Sequence, residues 1–177
     1  ACPPAQARAG EGSNRSRGRR GGLQSEGWAG AGARHARMAR AAEPTHREKA
    51  SAEFRTYAMH GSVERMRELR PDADVEAQEE TSQRRAIHKA AFWGHIGVIQ
   101  YLCREVGADV HAKDYNGDTA LHDACRFGHA PVVEELLRAG ANPGAVNEEG
   151  LDCVQLALKQ DKFDIATTLL KHLQSKL

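Results

Sequence analysis

The sequence is poor in aromatic side chains, which make up 5% of its 177 residues, and its mean hydropathy is −0.63. Both values argue against a large enzyme built around one aromatic-rich core. No apolar run approaches the roughly 20 residues that a membrane-spanning helix needs. Cysteine is also sparse, with four residues whose spacing suggests no disulfide framework. We therefore expect one modest core and a reducing compartment, the cytoplasm.

Charge is unevenly distributed, although the formal net charge of the whole chain is only +1. The first 50 residues hold 10 Lys and Arg against 4 Asp and Glu, which leaves 15 against 20 in the rest. Residues 1–50 therefore carry a formal net charge of +6, and residues 51–177 carry −5. This asymmetry predicts two physically different parts, a basic arm and a mildly acidic folded domain.

Residues 1–48 are predicted to form a disordered arm rich in glycine, arginine and alanine. Leu23 is the only leucine, isoleucine or valine among the first 50 residues. Such a segment cannot bury enough apolar surface to offset an ordering entropy of about 1–2 kcal/mol per residue. Pro44 lies near the boundary with the folded part.

Three interpretations of the arm stay open. Translation could start at Met38, in which case residues 1–37 are read-through of a leader. The acid-poor, arginine-rich composition also suits a mitochondrial or plastid transit peptide. A third interpretation is RNA binding by counter-ion release and cation–π contact, through four clustered arginines: Arg15, Arg17, Arg19 and Arg20.

An internal repeat begins after the arm. Equivalent turn positions recur at steps of 33, 34 and 33 residues: Gly61, Gly94, Gly128 and Asp161. Small residues precede each position and an apolar pattern with helical spacing follows it, so each unit should hold two helices. Gly107 and Gly140 follow second helices, where a left-handed cap favours glycine. Thr119, after Asp118, is expected to be the N-cap of a first helix.

Residues 114–142 resemble an ankyrin repeat. The family signature Thr-Pro-Leu-His is present as Thr119-Ala-Leu-His122 and, one unit earlier, as Arg85-Ala-Ile-His88. The resemblance implies an all-α repeat solenoid of ankyrin-type helix-turn-helix units joined by β-hairpin-like turns. Residues 49–177 then divide into four units: an N-terminal cap at 49–80, repeats at 81–113 and 114–146, and a C-terminal cap at 147–177.

The outer units depart from the signature in a way that suits end caps, which need one polar side. The second helix of unit 49–80 carries Arg65, Arg67 and Arg70, and the last unit ends in Lys171 and His172. Unit 81–113 also has one extra residue near Glu105, which should lengthen the end of its second helix or the following loop.

Catalytic and metal chemistry find little support. His122, Cys125 and His129 would lie close together on a helix, as in a zinc site. However, His88 and His95 repeat the same pair one unit earlier, so the spacing reflects the repeat and not a ligand set. The cysteines occupy apolar positions where a thiol is buried and inert. No phosphate-binding loop or catalytic motif is present, and we expect no enzyme activity, metal or cofactor.

Function should instead be sought on the partner-binding surface that the resemblance implies. In ankyrin-type stacks the ends of the first helices and the turn tips face a concave groove. The residues at these positions are Arg84, Phe92, Trp93, Tyr115, Asn116, Asp118, Arg126 and Phe127. Trp, Tyr and Arg dominate interface energetics. An alternative for Phe92 and Phe127 is that they only fill the junction between adjacent first helices.

The sequence thus predicts a non-catalytic ankyrin-type scaffold or adaptor that binds another protein through this groove, alone or as part of a complex. Two alternatives stay open. In one, the chain is an RNA-associated or organelle-targeted factor, in the nucleus or an organelle, whose basic arm carries specificity. In the other, the chain is a fragment of a larger ankyrin-containing protein.

Overall fold

The computed structural model describes residues 44–175. The predicted disordered arm before residue 44, with its transit-peptide and RNA-binding interpretations and with Arg15, Arg17, Arg19 and Arg20, lies outside these residues. No helix between residues 44 and 175 combines the length and the apolar character that crossing a membrane requires.

Within the described residues the fold consists of paired helices joined by extended turns. The helices are α1 (His46–His60), α2 (Val63–Leu69), α3 (Ala86–Trp93), α4 (Ile96–Gln100) continued by a π-helix (Tyr101–Val106), α5 (Ala120–Phe127), α6 (Ala130–Arg138), α7 (Cys153–Lys159) and α8 (Phe163–Gln174). First helices contact first helices of the next unit, and the second helices of the last three units do the same. Antiparallel bridges Lys113–Thr119 and Val146–Asp152 close two of the turns. The predicted all-α repeat solenoid with hairpin-like turns is confirmed.

Helix α1 begins at His46, three residues before the predicted boundary at residue 49. Thr45 is its N-cap: its Oγ1 accepts the Glu48 amide at 3.2 Å, and a Glu48 side-chain oxygen accepts the Thr45 amide at 2.6 Å. This reciprocal capping box satisfies two amides that the helix cannot bond itself. Residues 46–48, which composition alone assigns to the arm, therefore lie in α1.

The signature histidines close the first turns of α3 and α5. The Thr119 amide donates to Nδ1 of His122 at 3.1 Å, and the Arg85 amide donates to Nδ1 of His88 at 3.3 Å. Nε2 of His88 then donates to the Ala112 carbonyl at 3.1 Å. Thr119 is the N-cap of α5, as the sequence predicts. Both histidines are buried and structural.

A second pair of histidines connects neighbouring units. Nε2 of His95 donates to the Met59 carbonyl at 2.8 Å, and Nε2 of His129 donates to the Phe92 carbonyl at 3.0 Å. Each ring packs on a left-handed glycine of the preceding unit. At Gly94, whose φ is 75°, an added Cβ would lie 2.5 Å from Nδ1 of His129. Glycine is therefore required there both for its φ and for its lack of a side chain.

The extra residue of the second unit is accommodated by a π-helix. Residues Tyr101–Val106 continue α4 with wider turns and end at Gly107, whose φ is 77°. A π-helical turn is the usual result of inserting one residue into an α-helix. The predicted insertion is thus taken up within the second helix, and the first helices keep their spacing.

Ion pairs between units connect the second helices. Arg67 on α2 contacts Glu105 at 2.6 Å. Arg104 donates from Nε and Nη2 to the two oxygens of Glu135 on α6, at 2.8 and 2.9 Å. Glu135 is buried, so the Arg104 guanidinium supplies the charge and the hydrogen bonds that a buried carboxylate needs.

The last unit differs from a polar cap. Leu158, Phe163, Leu170 and Leu173 on α7 and α8 are exposed large apolar side chains. Between residues 147 and 175, the last unit thus exposes apolar as well as polar side chains. The basic residues Lys171 and His172 lie at the end of α8 and do not cover this surface.

Candidate partner-binding groove

An aromatic cluster joins the ends of α3 and α5. The ring of Phe92 lies 4.2 Å from that of Phe127 and 5.4 Å from that of Trp93, measured between centroids. Phe92 is half-buried, whereas Trp93 is 54% exposed and Phe127 is also exposed. Phe92 therefore packs between the other two rings, which present apolar surface to solvent.

The turn tips are connected to one another by backbone hydrogen bonds. The Tyr115 amide donates to the Ser82 carbonyl at 3.0 Å, and the Glu148 amide donates to the Asn116 carbonyl at 3.0 Å. Asn116 also donates its amide to Oδ1 of Asp114 at 2.9 Å. The Tyr115 side chain is 64% exposed. These contacts fix the tips while leaving Tyr115 free to contact a partner.

Arg84 holds two buried carboxylates of the next unit. Its Nε donates to Asp114 at 3.1 Å and its Nη2 donates to Asp123 at 3.0 Å. Its guanidinium also lies over the Phe92 ring, 5.2 Å from the centroid. Arg84 is thus a positioning residue that supports both the turn and the aromatic cluster.

Arg126 is held in a similar way. Its Nη2 lies 2.7 Å from Asp118 and its Nη1 lies 3.7 Å from Asp123. Asp118 also accepts a hydrogen bond from the Asn147 side chain at 2.9 Å. Asp118 is fully buried, which corrects the prediction of an exposed turn tip that contacts a partner. Within the stack, its Oδ1 accepts the Asn147 hydrogen bond and its Oδ2 forms the ion pair with Arg126.

Asp123 was not singled out from the sequence, yet both arginines meet at it. It is buried on α5, and its Oδ2 has no hydrogen-bond partner in the described part of the chain. Burial raises the pKa of this carboxyl to about 7, against the opposite effect of the Arg84 guanidinium. The sequence gives one sign of this role: Asp123 is an acidic residue on a first helix, directly after the signature histidine His122.

A polar cleft lies between the last two units. Its volume is about 390 Å³, and its lining includes Asp118, Arg126, Glu148, Glu149 and Lys159. Both cations in this set are engaged, Arg126 with Asp118 and Lys159 with Glu149 at 3.0 Å. A ligand or partner in the cleft would therefore meet carboxylates and amides more readily than positive charge.

The structure describes three free thiols, Cys103, Cys125 and Cys153. Among residues 44–175, no cluster of three or more His, Cys, Asp or Glu side chains could hold a metal ion. Cys125 and Cys153 are buried, and Cys103 is half-buried. Burial raises the pKa of the Cys103 thiol to about 11, so it is protonated at neutral pH.

These helix pairs, stacked through small residues and joined by protruding turns, define an all-α repeat solenoid. The sequence model of the family described as Ankyrin repeat matches residues 83–115 and 116–148. Residues 83–148 are therefore two ankyrin repeats, a repeat type that serves protein–protein interaction.

Curated relatives agree with this assignment. The chain is 32% identical over 116 residues to Neurogenic locus notch homolog protein 1 of Danio rerio, covering 66% of this chain and 5% of that protein. It is 30% identical over 110 residues to Ankyrin repeat and KH domain-containing protein mask-1 of Caenorhabditis elegans, covering 62% and 4%. It is 35% identical over 65 residues to Protein phosphatase 1 regulatory subunit 27 of Mus musculus, covering 37% and 42%. The chain thus spans less than half the length of each of these relatives.

Proposed function

We propose that this chain is a non-catalytic adaptor that binds another protein through the groove between its first helices and its turn tips. The observation that supports this most strongly is the exposed aromatic surface of Trp93, Phe127 and Tyr115. Aromatic side chains that are exposed in the free protein are typical anchors of an interface. Asn116 lies beside Tyr115 at the tip and would add hydrogen bonds.

The groove is ordered before a partner arrives. Arg84 and Arg126 are engaged with buried carboxylates, and the turn tips are bonded to each other. The free energy spent on ordering the surface during binding should therefore be small. We assign Arg84, Asp118 and Arg126 the role of supporting the groove, and Trp93, Tyr115 and Phe127 the role of contacting the partner.

The charges in the groove favour a partner segment with an apolar anchor and a basic flank. Arg126 and Lys159 are neutralised by acids of the chain, and Glu148 lines the same cleft. A partner's Lys or Arg could pair with this glutamate or stack on Trp93. Like-charge repulsion would disfavour an acidic segment.

The test is affinity capture from the source cells with the full chain and with a Trp93→Ala/Tyr115→Ala variant. Each truncated anchor commonly costs 2 kcal/mol or more, which is about thirtyfold in affinity. A partner recovered by the wild type should therefore be lost with the double variant. Cross-linking of the recovered complex should place the contacts on α3, α5 and the turn that holds Tyr115.

Ile96→Ala is the matched control, because Ile96 is an exposed apolar residue on α4, outside the aromatic cluster. All variants must melt at the same temperature as the wild type. If the double variant recovers the same proteins as the wild type, the groove is not the binding surface.

We propose a cytoplasmic location, in keeping with the free thiols of Cys103, Cys125 and Cys153.

A further inference from the structure

The C-terminal end of the repeat stack presents an apolar face, which we call the end face and define as Leu158, Phe163, Leu170 and Leu173. Leu158 lies on α7, and the other three lie on α8. Leu158 is 47% exposed, Phe163 63% and Leu170 48%. Clustered apolar side chains exposed to this extent on a small domain commonly mark an interaction site.

The repeat period shows what this face is equivalent to. Leu158 and Leu170 follow Cys125 and Leu137 by 33 residues. Cys125 is 0% and Leu137 is 5% exposed, in the unit that α7 and α8 cover. The last unit therefore keeps apolar side chains at positions that face a neighbouring unit, although the described chain supplies no such neighbour. The end face continues the established interface of the stack.

The opposite end of the stack is finished differently. Ala86, Ala120 and Cys153 occupy one equivalent position at steps of 34 and 33 residues, and all three are buried. In the first unit this position is Glu53, which is exposed. Head-to-tail stacking of two copies would bring this glutamate towards the leucines of the end face. Such stacking would desolvate a carboxylate against apolar surface, which is costly.

We propose that the end face binds the end face of a second copy of this chain, about a two-fold axis. The two apolar faces then cover each other, and a two-fold contact closes the assembly at a dimer. If the two α8 helices cross antiparallel near Thr167, Phe163 of one copy lies opposite Leu170 of the other. The rim has matching charges, because Asp164 and Lys171 are also seven residues apart and both exposed. Each pairs with its opposite in the second copy.

Sedimentation velocity of the full chain tests this proposal, over loading concentrations from about 1 to about 200 µM. The expected result is a reversible monomer–dimer equilibrium. Leu170→Glu places a carboxylate in the centre of the contact and should weaken dimerisation at least tenfold. Because Leu170 is half exposed, this variant should keep the melting temperature of the wild-type monomer.

A charge exchange tests the antiparallel register. Asp164→Lys and Lys171→Asp should each weaken the dimer, and the double variant should restore it, since the exchanged charges again face opposite signs. Trp93→Glu is the control for self-association through the groove and should leave the equilibrium unchanged. A chain that stays monomeric at the highest concentration, or a dimer that survives Leu170→Glu, would overturn the proposal. Neither result depends on whether the groove binds a partner.

Discussion

His129 holds the backbone of Phe92. Its Nε2 donates to the Phe92 carbonyl at 3.0 Å, and its ring rests on the left-handed turn at Gly94. The same contact recurs one unit earlier between His95 and Met59. The end of each first helix is therefore fixed by the unit that follows it. In the second unit this contact orients the residue at the centre of the aromatic cluster.

Gly94→Ala should destabilise the protein by about 2 kcal/mol or more. Alanine at a φ of 75° costs roughly 1–2 kcal/mol, and its Cβ would displace His129 from the Phe92 carbonyl. Urea unfolding measures the loss. Gly144→Ala is the control, because an added Cβ there meets nothing closer than 3.5 Å and φ is not positive. Equal effects at the two sites would contradict this account of the turn.

Asp161→Gly should stabilise the protein by about 0.5–1 kcal/mol. Asp161 has a φ of 56° at the position that Gly61, Gly94 and Gly128 occupy in the other units. Relief of left-handed strain should exceed the extra entropy that glycine adds to the unfolded chain. Thermal unfolding gives the sign. Asp164→Gly within the first turn of α8 serves as the comparison and should destabilise the protein by about 0.5 kcal/mol, from helix propensity and the lost interaction with the helix dipole. A lower melting temperature for Asp161→Gly would show that this turn is not strained.

Asp123→Asn should change how stability depends on pH. The folded pKa of about 7 lies above the ordinary value of 3.8, so the folded state binds this proton more tightly. The contribution of Asp123 to the free energy of unfolding is therefore greatest below pH 4 and is lost as the pH rises to about 7. At about 1.36 kcal/mol per pH unit, the loss is up to about 4 kcal/mol.

The measurement is denaturant unfolding of the wild type and of Asp123→Asn at several values between pH 4 and pH 8. The wild type should lose stability relative to the variant across this range, and the difference should become constant above pH 7. Other titrating groups are common to both proteins and cancel in the difference. A difference that is constant throughout would mean that Asp123 is ionised in the fold at every pH tested.

Arg104→Met should cost about 1–3 kcal/mol of stability. It leaves the buried Glu135 carboxylate without the two hydrogen bonds of its guanidinium partner. A double-mutant cycle with Glu135→Gln measures the coupling between the two side chains. Arg67→Met is the control, because both partners of the Arg67–Glu105 pair are half exposed and such pairs are worth at most about 1 kcal/mol. Additive effects of Arg104 and Glu135 would contradict the coupling.

The fold could be predicted because its determinants are local. Glycine spacing, the Thr119–His122 signature and the helical apolar pattern each lie within one unit, and together they indicated the repeat. The start of α1 at His46 is also local, but the Thr45–Glu48 capping box is too short to stand out from the preceding composition.

The supporting network of the groove could not be predicted in the same way. Arg84 and Asp123 are 39 residues apart in sequence, and no local pattern indicates that they meet. The orientation of Asp118 depends on Arg126 and Asn147, which belong to two other segments. The positions of Phe92, Trp93 and Phe127 at the ends of α3 and α5 follow from the repeat register alone, and their contact with a partner stays a prediction.

The first helices form the inner wall of the solenoid and the second helices form its outer wall. The π-helix at Tyr101–Val106 shows that the outer wall accepts an inserted residue. The step from Gly94 to Gly128 is one residue longer than the 33-residue steps on either side of it, yet the Phe92 and Phe127 rings of the first helices remain 4.2 Å apart. A residue gained on the outer wall is absorbed as a wider helical turn and does not shift the register of the inner one. The outer wall can therefore take up an inserted residue while the geometry that the inner wall presents to a partner stays the same.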